Sequence, residues 1–81
     1  MNKQELLVTM SAWIAEITEG EPPVVTAETH LVHELGLDSL ALAELAARLR
    51  MRLKVKLRPG EIRSDLRAGA VADVVLARMA P

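Results

Sequence analysis

Apolar residues recur at three- and four-residue spacing in three segments, and this spacing predicts three amphipathic helices. The first segment contains Leu6, Leu7, Met10, Trp13, Ile14 and Ile17. The second contains Leu42, Leu45, Leu49 and Leu53. The third contains Ala68, Val71, Ala72, Val74, Val75 and Met79. Asn2 and Glu5 have the spacing of a capping box at the start of the first helix, and Gly20 followed by Pro22 and Pro23 ends it.

Residues 24–37 show no long periodic pattern and predict a structured loop between the first two long helices. Its apolar side chains would pack on the core: Val24, Val25, Leu31, Val32, Leu35 and Leu37. A short turn of helix is expected around residues 29–34. A loop of this length in so small a domain is usually functional.

Basic and apolar residues alternate strictly from Arg48 to Arg58, which is the period of a half-buried strand. A single strand in a helical chain would leave its backbone groups without a ladder partner. We therefore predict that the second helix continues to about Arg52 and that an extended connector follows through Val55 and Leu57.

A turn at residues 59–62 predicts a very short helix before the last long one. Arg67 is a poor cap for that last helix, and Asp65 or Ser64 is expected to substitute. The predicted fold is an all-α four-helix bundle with three longer helices and one short helix, formed by residues 1–81 as a single domain.

Composition supports this fold class, because 51% of the residues are hydrophobic and only Trp13 is aromatic. Trp13 lies in the apolar stripe of the first helix, so we predict that it packs in the core. The absence of cysteine excludes disulfides and thiolate metal sites. No apolar run approaches the roughly 18 residues of a membrane span, and the start does not resemble a signal peptide. A cytoplasmic protein is expected, and the initial Met and terminal Ala-Pro favour a free-standing one.

Charge is divided unevenly along the chain. Up to Glu44 there are eight acids and one base, and from Leu45 onward there are nine bases and three acids. Such halves can attract each other within the fold or present a polarised surface. The basic run could neutralise nucleic-acid phosphates, but the pI of 6.1 and the lack of aromatic stacking residues argue against it. A solvated or protein-docking face is the preferred interpretation, and no nucleic-acid or membrane partner is predicted.

His30 and His33, with Glu34 beside them, could in principle ligate a metal. They form no HExxH-type pattern, and the sequence indicates no third ligand. We interpret them as partly solvated loop residues. The prediction is therefore no metal site.

Asp38 and Ser39 begin the second helix, and both are residue types whose side chains cap helix N-termini. The positive end of the helix dipole there would favour a bound anion such as phosphate. As a catalytic nucleophile Ser39 lacks the G-x-S-x-G pattern, because Leu37 and Ala41 occupy the glycine positions. If its hydroxyl caps the helix, Ser39→Ala should cost about 1 kcal/mol.

The string from Gly36 to Leu40, Gly-Leu-Asp-Ser-Leu, resembles the attachment motif of acyl carrier proteins. The resemblance covers the whole chain in helix order and length, although only this string is specific. It implies that Ser39 carries 4′-phosphopantetheine, with Asp38 and Leu40 beside it, and that the domain catalyses nothing. It also implies a phosphopantetheinyl transferase as partner, with coenzyme A as donor.

Further partners implied by the resemblance are acyl-loading, ketosynthase, acyltransferase or tailoring enzymes, acting on a monomer. They would dock at Leu37, Leu40, Glu44, Arg48, Ile62 and Arg63. Glu44 and Arg48 are also expected to form an i, i+4 pair. Carriers of bacterial fatty acid synthesis usually have an acidic helix after the serine, and the arginines here instead favour a specialised polyketide or related natural-product pathway. The alternatives are a peptidyl or aminoacyl carrier, or a non-carrier interaction module in which Ser39 is only a cap.

Overall fold

The computed structural model describes residues 1–58, 61–62 and 65–79, which contain three helices. They are α1 (Lys3–Thr18), α2 (Ser39–Leu53) and α3 (Ala68–Met79). Within these ranges there is no strand, and His30 and Arg67 form an isolated antiparallel bridge. The predicted all-α class is confirmed. In the same part of the chain, no helix is long and apolar enough to cross a membrane.

Helix α1 begins at the predicted capping box. The Asn2 side chain accepts from the Glu5 backbone N–H at 2.8 Å, and the Glu5 carboxylate accepts from the Asn2 N–H at 2.8 Å. The helix ends at Glu19, which adopts the left-handed conformation with φ of 55°, and Gly20 N–H donates to the carbonyl of Ala15 at 3.0 Å. The chain can then leave the helix through the two prolines.

The core lies where α1 packs against both α2 and α3. Trp13 is 8% exposed, which confirms its predicted place in the core. The fully buried large side chains come from all three helices and the long loop: Leu6, Met10, Leu31, Leu45, Leu49, Val71 and Val75. This arrangement fixes the N-terminus of α2 on the outside of a rigid aliphatic centre.

The alternation of basic and apolar residues from Arg48 to Arg58 belongs to the end of α2 and an irregular connector after it. The helix ends at Leu53, one residue beyond the prediction, and Lys54 caps it in the left-handed conformation with φ of 55°. Val55 and Leu57 are buried, while Lys56 and Arg58 are exposed. The connector therefore buries every second residue against the helices without pairing as a strand.

The predicted short fourth helix lies largely outside the described residues, since Pro59, Gly60, Arg63 and Ser64 are not among them. Residues 61–62 form a turn, in which Glu61 N–H donates to the carbonyl of Arg58 at 3.1 Å. The described part of the chain thus shows a three-helix arrangement.

The long loop satisfies the first backbone donors of α3. Ala68 N–H donates to the carbonyl of Thr29 at 2.8 Å, and Gly69 N–H donates to the carbonyl of Ala27 at 2.9 Å. These donors would otherwise be orphaned at the helix start. The prediction that Asp65 caps α3 is wrong. Its carboxylate accepts a hydrogen bond from the N–H of Arg67 at 3.0 Å, and Arg67 is the residue before the helix begins. Ser64 lies outside the described residues.

Opposite charges in the two halves of the chain pair across the fold. Arg48 of α2 contacts Glu16 of α1 at 2.9 Å, and Arg67 contacts Glu28 of the long loop at 3.6 Å. The uneven charge distribution therefore contributes attraction between segments. Such pairs are partly exposed and each is worth at most about 1 kcal/mol.

Candidate functional site

The turn before α2 directs the chain into the helix start. Residues 31–35 form a turn rather than a helix, and Gly36 follows with φ of 70°, a conformation that glycine adopts without strain. Gly36 N–H donates to the carbonyl of Val32 at 2.9 Å, and Leu37 N–H donates to the carbonyl of Leu31 at 3.1 Å. These two backbone hydrogen bonds close the turn immediately before Asp38 and Ser39.

His30 has a structural role in this turn. Its Nδ1 accepts hydrogen bonds from the backbone N–H groups of Val32 at 3.2 Å and His33 at 3.0 Å. The imidazole thereby satisfies the first donors of the turn, as a capping side chain does. Within the described residues no three metal-ligating side chains come together.

Asp38 and Ser39 have different roles at the start of α2, although both are residue types that can cap a helix. Asp38 is the N-cap, and its carboxylate accepts from the backbone N–H of Ala41 at 2.8 Å. Ser39 is the first residue of α2 and is exposed, and its hydroxyl makes no hydrogen bond to any described residue. Of the two candidate caps, Asp38 therefore caps the helix and the Ser39 hydroxyl does not. The side chain is left available at the positive end of the helix dipole.

An open groove begins at Ser39 and runs along one side of α2. Its volume is about 680 Å³. Its lining is mostly apolar: Val32, Leu37, Asp38, Ser39, Leu42, Ala43, Ala46, Arg50, Leu57, Arg58, Ile62 and Leu66. Ala43 and Ala46 leave the room that larger side chains would fill. They follow Ser39 by four and seven residues, a spacing that places all three on one face of the helix.

The other predicted partner-facing residues separate into exposed and buried ones. Leu40 is 69% exposed and Glu44 is also exposed, and both line a smaller depression of about 220 Å³ between the end of α1 and the start of α2. Leu37 is only 3% exposed, so its side chain anchors the motif in the core and cannot meet a partner there. Ile62 is half-buried along the groove, and Arg63 lies outside the described residues.

Arg48 of α2 forms an ion pair with Glu16 of α1. Its guanidinium donates to the Glu16 carboxylate at 2.9 Å, and its side chain is 29% exposed. The expected i, i+4 pair with Glu44 is replaced by this contact between helices. Arg48 therefore orients α1 and α2, and any contact it makes with a partner competes with that role.

One carboxyl beside the loop has a perturbed pKa. Hydrogen bonds from the Arg67 side chain, and secondarily from its backbone N–H, lower the pKa of Asp65 from 3.8 to about 2. The closest contact joins Arg67 Nη2 to Asp65 Oδ2 at 2.6 Å. This pair fixes the chain just before it enters α3.

Comparison with known proteins agrees with a helical domain that exposes Ser39 at the N-terminus of a helix. A family model described as "Phosphopantetheine attachment site" matches residues 10–75, which include Ser39. The match takes in the second half of α1, the long loop, all of α2 and about the first two thirds of α3. This defines the class of protein: a carrier of 4′-phosphopantetheine.

Similar curated proteins narrow the class. The meromycolate extension acyl carrier protein of Mycolicibacterium aurum is 36% identical over 74 residues, covering 91% of this chain and 73% of the relative. The protein of the same name from Mycolicibacterium smegmatis is 36% identical over 73 residues, covering 90% and 71%. Acyl carrier protein 2 of Ralstonia nicotianae is 31% identical over 80 residues, covering 99% of each chain. The chain belongs to the acyl carrier protein family, and it is therefore a carrier rather than an enzyme.

Proposed function

We propose that Ser39 is the residue that carries 4′-phosphopantetheine, and that this chain holds acyl or ketide intermediates on the arm as thioesters. The observation that carries the proposal is the division between Asp38, which caps α2, and Ser39, whose exposed hydroxyl is left without a partner among the described residues. A phosphodiester on that oxygen would lie at the helix N-terminus, where backbone N–H groups and the helix dipole favour negative charge.

The prosthetic group fits this position on chemical grounds. Ser39 supplies the alcohol that a transferase would couple to the phosphate of the arm, with coenzyme A as donor. Gly36 and the buried Leu37 hold the backbone before it, so that Ser39 is presented outward from a fixed position. The arm contributes a thiol that forms the thioester. The protein itself orients the arm and exposes it to other enzymes.

The groove beside Ser39 supports an acyl or ketide cargo. Alkyl chains gain roughly 0.8 kcal/mol for each methylene that is buried. Leu42, Ala46 and Leu66 offer apolar surface next to the attachment point. The names of the relatives agree with this class, since they are acyl carriers, two of them for meromycolate extension.

The pathway we propose is a specialised one, polyketide or related natural-product assembly, in the cytoplasm. The support is the charge of α2, whose exposed residues include Arg50 and Arg52 in the last turn as well as Glu44. An enzyme surface that suits an acidic helix would meet like charge here, which lowers affinity and sets specificity.

Partner enzymes are proposed to contact Leu40, Glu44 and Ile62, and also Arg63, which follows Ile62 in sequence. The depression next to Leu40 would accept an apolar side chain of the partner. We leave Leu37 out because it is buried, and we assign Arg48 to the α1–α2 contact first.

Thiol chemistry tests the carrier function simply, because the chain has no cysteine. The apo protein is incubated with coenzyme A and a broad-specificity phosphopantetheinyl transferase and then treated with a maleimide dye. We expect one labelled thiol per chain. Loading that thiol with a malonyl or longer acyl group should block labelling, and hydroxylamine should restore it. A chain that never acquires a thiol would contradict the proposal.

The role of the groove has its own matched pair of variants. In Ala46→Phe the added ring would fill the groove, whereas Ala47→Phe places the same ring on α2 at a residue that does not line the groove. With an octanoyl group on the arm, we expect faster hydroxylamine cleavage in Ala46→Phe and an unchanged rate in Ala47→Phe. Equal rates in both variants and the wild type would show that the cargo lies outside the groove.

A further inference from the structure

A strip of exposed basic residues covers the C-terminal end of α2 and the connector after it. We define the basic strip as Arg50, Arg52, Lys54 and Lys56, all of which are exposed. The apolar residues Leu49, Leu53, Val55 and Leu57, which adjoin these bases in sequence, pack in or against the core. The side chains of the bases therefore face outward.

The basic strip differs from the other bases of the described chain. Lys3 contacts Asp73, Arg48 contacts Glu16, Arg58 contacts Glu61, Arg67 contacts Asp65 and Glu28, and Arg78 contacts Glu61. In residues 1–58, 61–62 and 65–79, the four members of the basic strip are the Lys and Arg residues without an ion pair. The positive charge is thus concentrated at one end of the molecule and is not neutralised by those residues.

Folding alone gives a partial reason for this arrangement. Cations in the last turn of α2 interact favourably with the helix dipole, which accounts for Arg50 and Arg52. Lys54 is the C-cap and shares this interaction, whereas Lys56 lies beyond the helix end and gains less from it. Arg50 and Lys54 are also four residues apart, a spacing at which like charges repel. The concentration of charge therefore fits a binding surface better than a stabilising one.

Met51 gives this surface an apolar centre. Its side chain is 76% exposed, and it lies between Arg50 and Arg52 in sequence. A flexible exposed methionine within a charged rim is typical of protein-binding surfaces. Nucleic acid is a poorer match, because the chain's single aromatic residue is the buried Trp13 and no base could stack on it.

We infer that the basic strip, centred on Met51, binds an acidic surface of a partner enzyme that also receives the arm from Ser39. This rests on the proposed function. Ser39 and Arg50 are eleven residues apart on one helix, a separation of about 16 Å along the axis. A standard interface buries about 800 Å² on each partner, which is wide enough to cover both positions at once. The basic strip would then select enzymes by charge.

The experiment measures binding of the unmodified chain, so that it gives an answer whether or not Ser39 accepts an arm. Two probes are used: a ketosynthase whose carrier-docking surface is basic, and the same enzyme with those bases replaced by glutamate. Affinity is measured by fluorescence anisotropy at low salt. Loading of the same protein preparation is followed separately by mass spectrometry, which distinguishes failure of the proposed function from failure of this inference.

We expect the chain to bind the glutamate-bearing enzyme at least about tenfold more tightly, which is within the usual range of electrostatic effects on association. Arg52→Gln/Lys56→Gln should weaken that binding by about fivefold, since each exposed ion pair is worth up to about 1 kcal/mol. Raising the salt to about 1 M, where the Debye length is roughly 3 Å, should remove most of the preference. The control Gln4→Glu/Ala12→Glu makes the same change in net charge on exposed positions of α1 and should leave the preference intact.

Equal binding to the two enzymes, or an equal loss in the control variant, would overturn the inference. The same labelled chain is also titrated with a DNA duplex and with phosphatidylglycerol vesicles. Tighter binding to either of these than to the glutamate-bearing enzyme, abolished by Arg52→Gln/Lys56→Gln, would overturn it too and reassign the basic strip.

Discussion

Gly69 of α3 lies directly against Ala27 of the long loop, and its N–H donates to the Ala27 carbonyl at 2.9 Å. A Cβ on Gly69 would lie 2.7 Å from both the Cβ and the carbonyl oxygen of Ala27. The two backbones therefore approach as closely as they do because residue 69 has no side chain. The contact ties the loop that leads to Ser39 to the last helix.

Gly69→Ala is expected to destabilise the protein, although alanine is the better helix former by about 1 kcal/mol. The new methyl group meets backbone atoms that cannot turn aside, and overpacking of this kind costs about 1–3 kcal/mol. The net effect on the free energy of unfolding, measured by urea denaturation, should be a loss. Gly20→Ala is the matched control, because its Cβ would have an ordinary contact of 3.6 Å with Thr18 Oγ1. A stabilised Gly69→Ala variant would contradict the packing described here.

Asp38→Ala and Ser39→Ala should differ in stability. Asp38 caps α2, so its loss should reduce the free energy of unfolding by about 1 kcal/mol. Ser39 makes no side-chain hydrogen bond to a described residue, so Ser39→Ala should change stability by less than about 0.5 kcal/mol. Thermal unfolding followed by circular dichroism compares the two. If Ser39→Ala lost more free energy of unfolding than Asp38→Ala, the serine and not the aspartate would be the cap.

The contact of Arg48 with Glu16 can be measured by a double-mutant cycle with Arg48→Gln and Glu16→Gln. Because both side chains are partly exposed, a coupling free energy of about 0.5 kcal/mol is expected. A second cycle with Glu44→Gln should give a smaller value. The interpretation would be wrong if Arg48 coupled more strongly to Glu44 than to Glu16.

The Asp65–Arg67 pair predicts a pH dependence at the acidic end. Hydrogen bonds from Arg67 lower the pKa of Asp65 to about 2, below the ordinary value of 3.8 that the carboxyl has in an unfolded chain. The stabilisation is therefore complete above about pH 4 and is lost as the pH falls toward 2. The stability difference between the wild type and Asp65→Asn should accordingly shrink over that interval. NMR titration should place the Asp65 midpoint near 2, and Arg67→Gln should raise it; a wild-type midpoint near 4 would refute the assignment.

The sequence was sufficient for features that depend on neighbours along the chain. Helical spacing and the capping box placed α1, and the string from Gly36 to Leu40 indicated the acyl carrier family to which the chain belongs. Either Asp38 or Ser39 could cap a helix by residue type, and only the backbone conformation at residue 38 decides between them. The sequence also could not exclude a strand from Arg48 to Arg58, because alternate burial occurs equally in an irregular connector that lies along a helical core.

Tertiary contacts account for what the sequence could not show. Glycine is unfavourable in a helix, and only the close contact with Ala27 explains why residue 69 is glycine. Arg48 has an acid four residues before it, and its actual partner, Glu16, is 32 residues away. Leu37 lies in the string from Gly36 to Leu40, yet its side chain is buried in the core, whereas Leu40, three residues later, is exposed.

Intact mass spectrometry can show whether Ser39 carries the 4′-phosphopantetheine arm. The wild type, Ser39→Ala and Ser64→Ala are each incubated with coenzyme A and a broad-specificity phosphopantetheinyl transferase. The chain has three serines, and we predict that the wild type and Ser64→Ala each gain the mass of one 4′-phosphopantetheine group while Ser39→Ala gains none. Folding of Ser39→Ala is confirmed by its unfolding curve. A mass gain that persists in Ser39→Ala, or no gain in the wild type, would contradict the account.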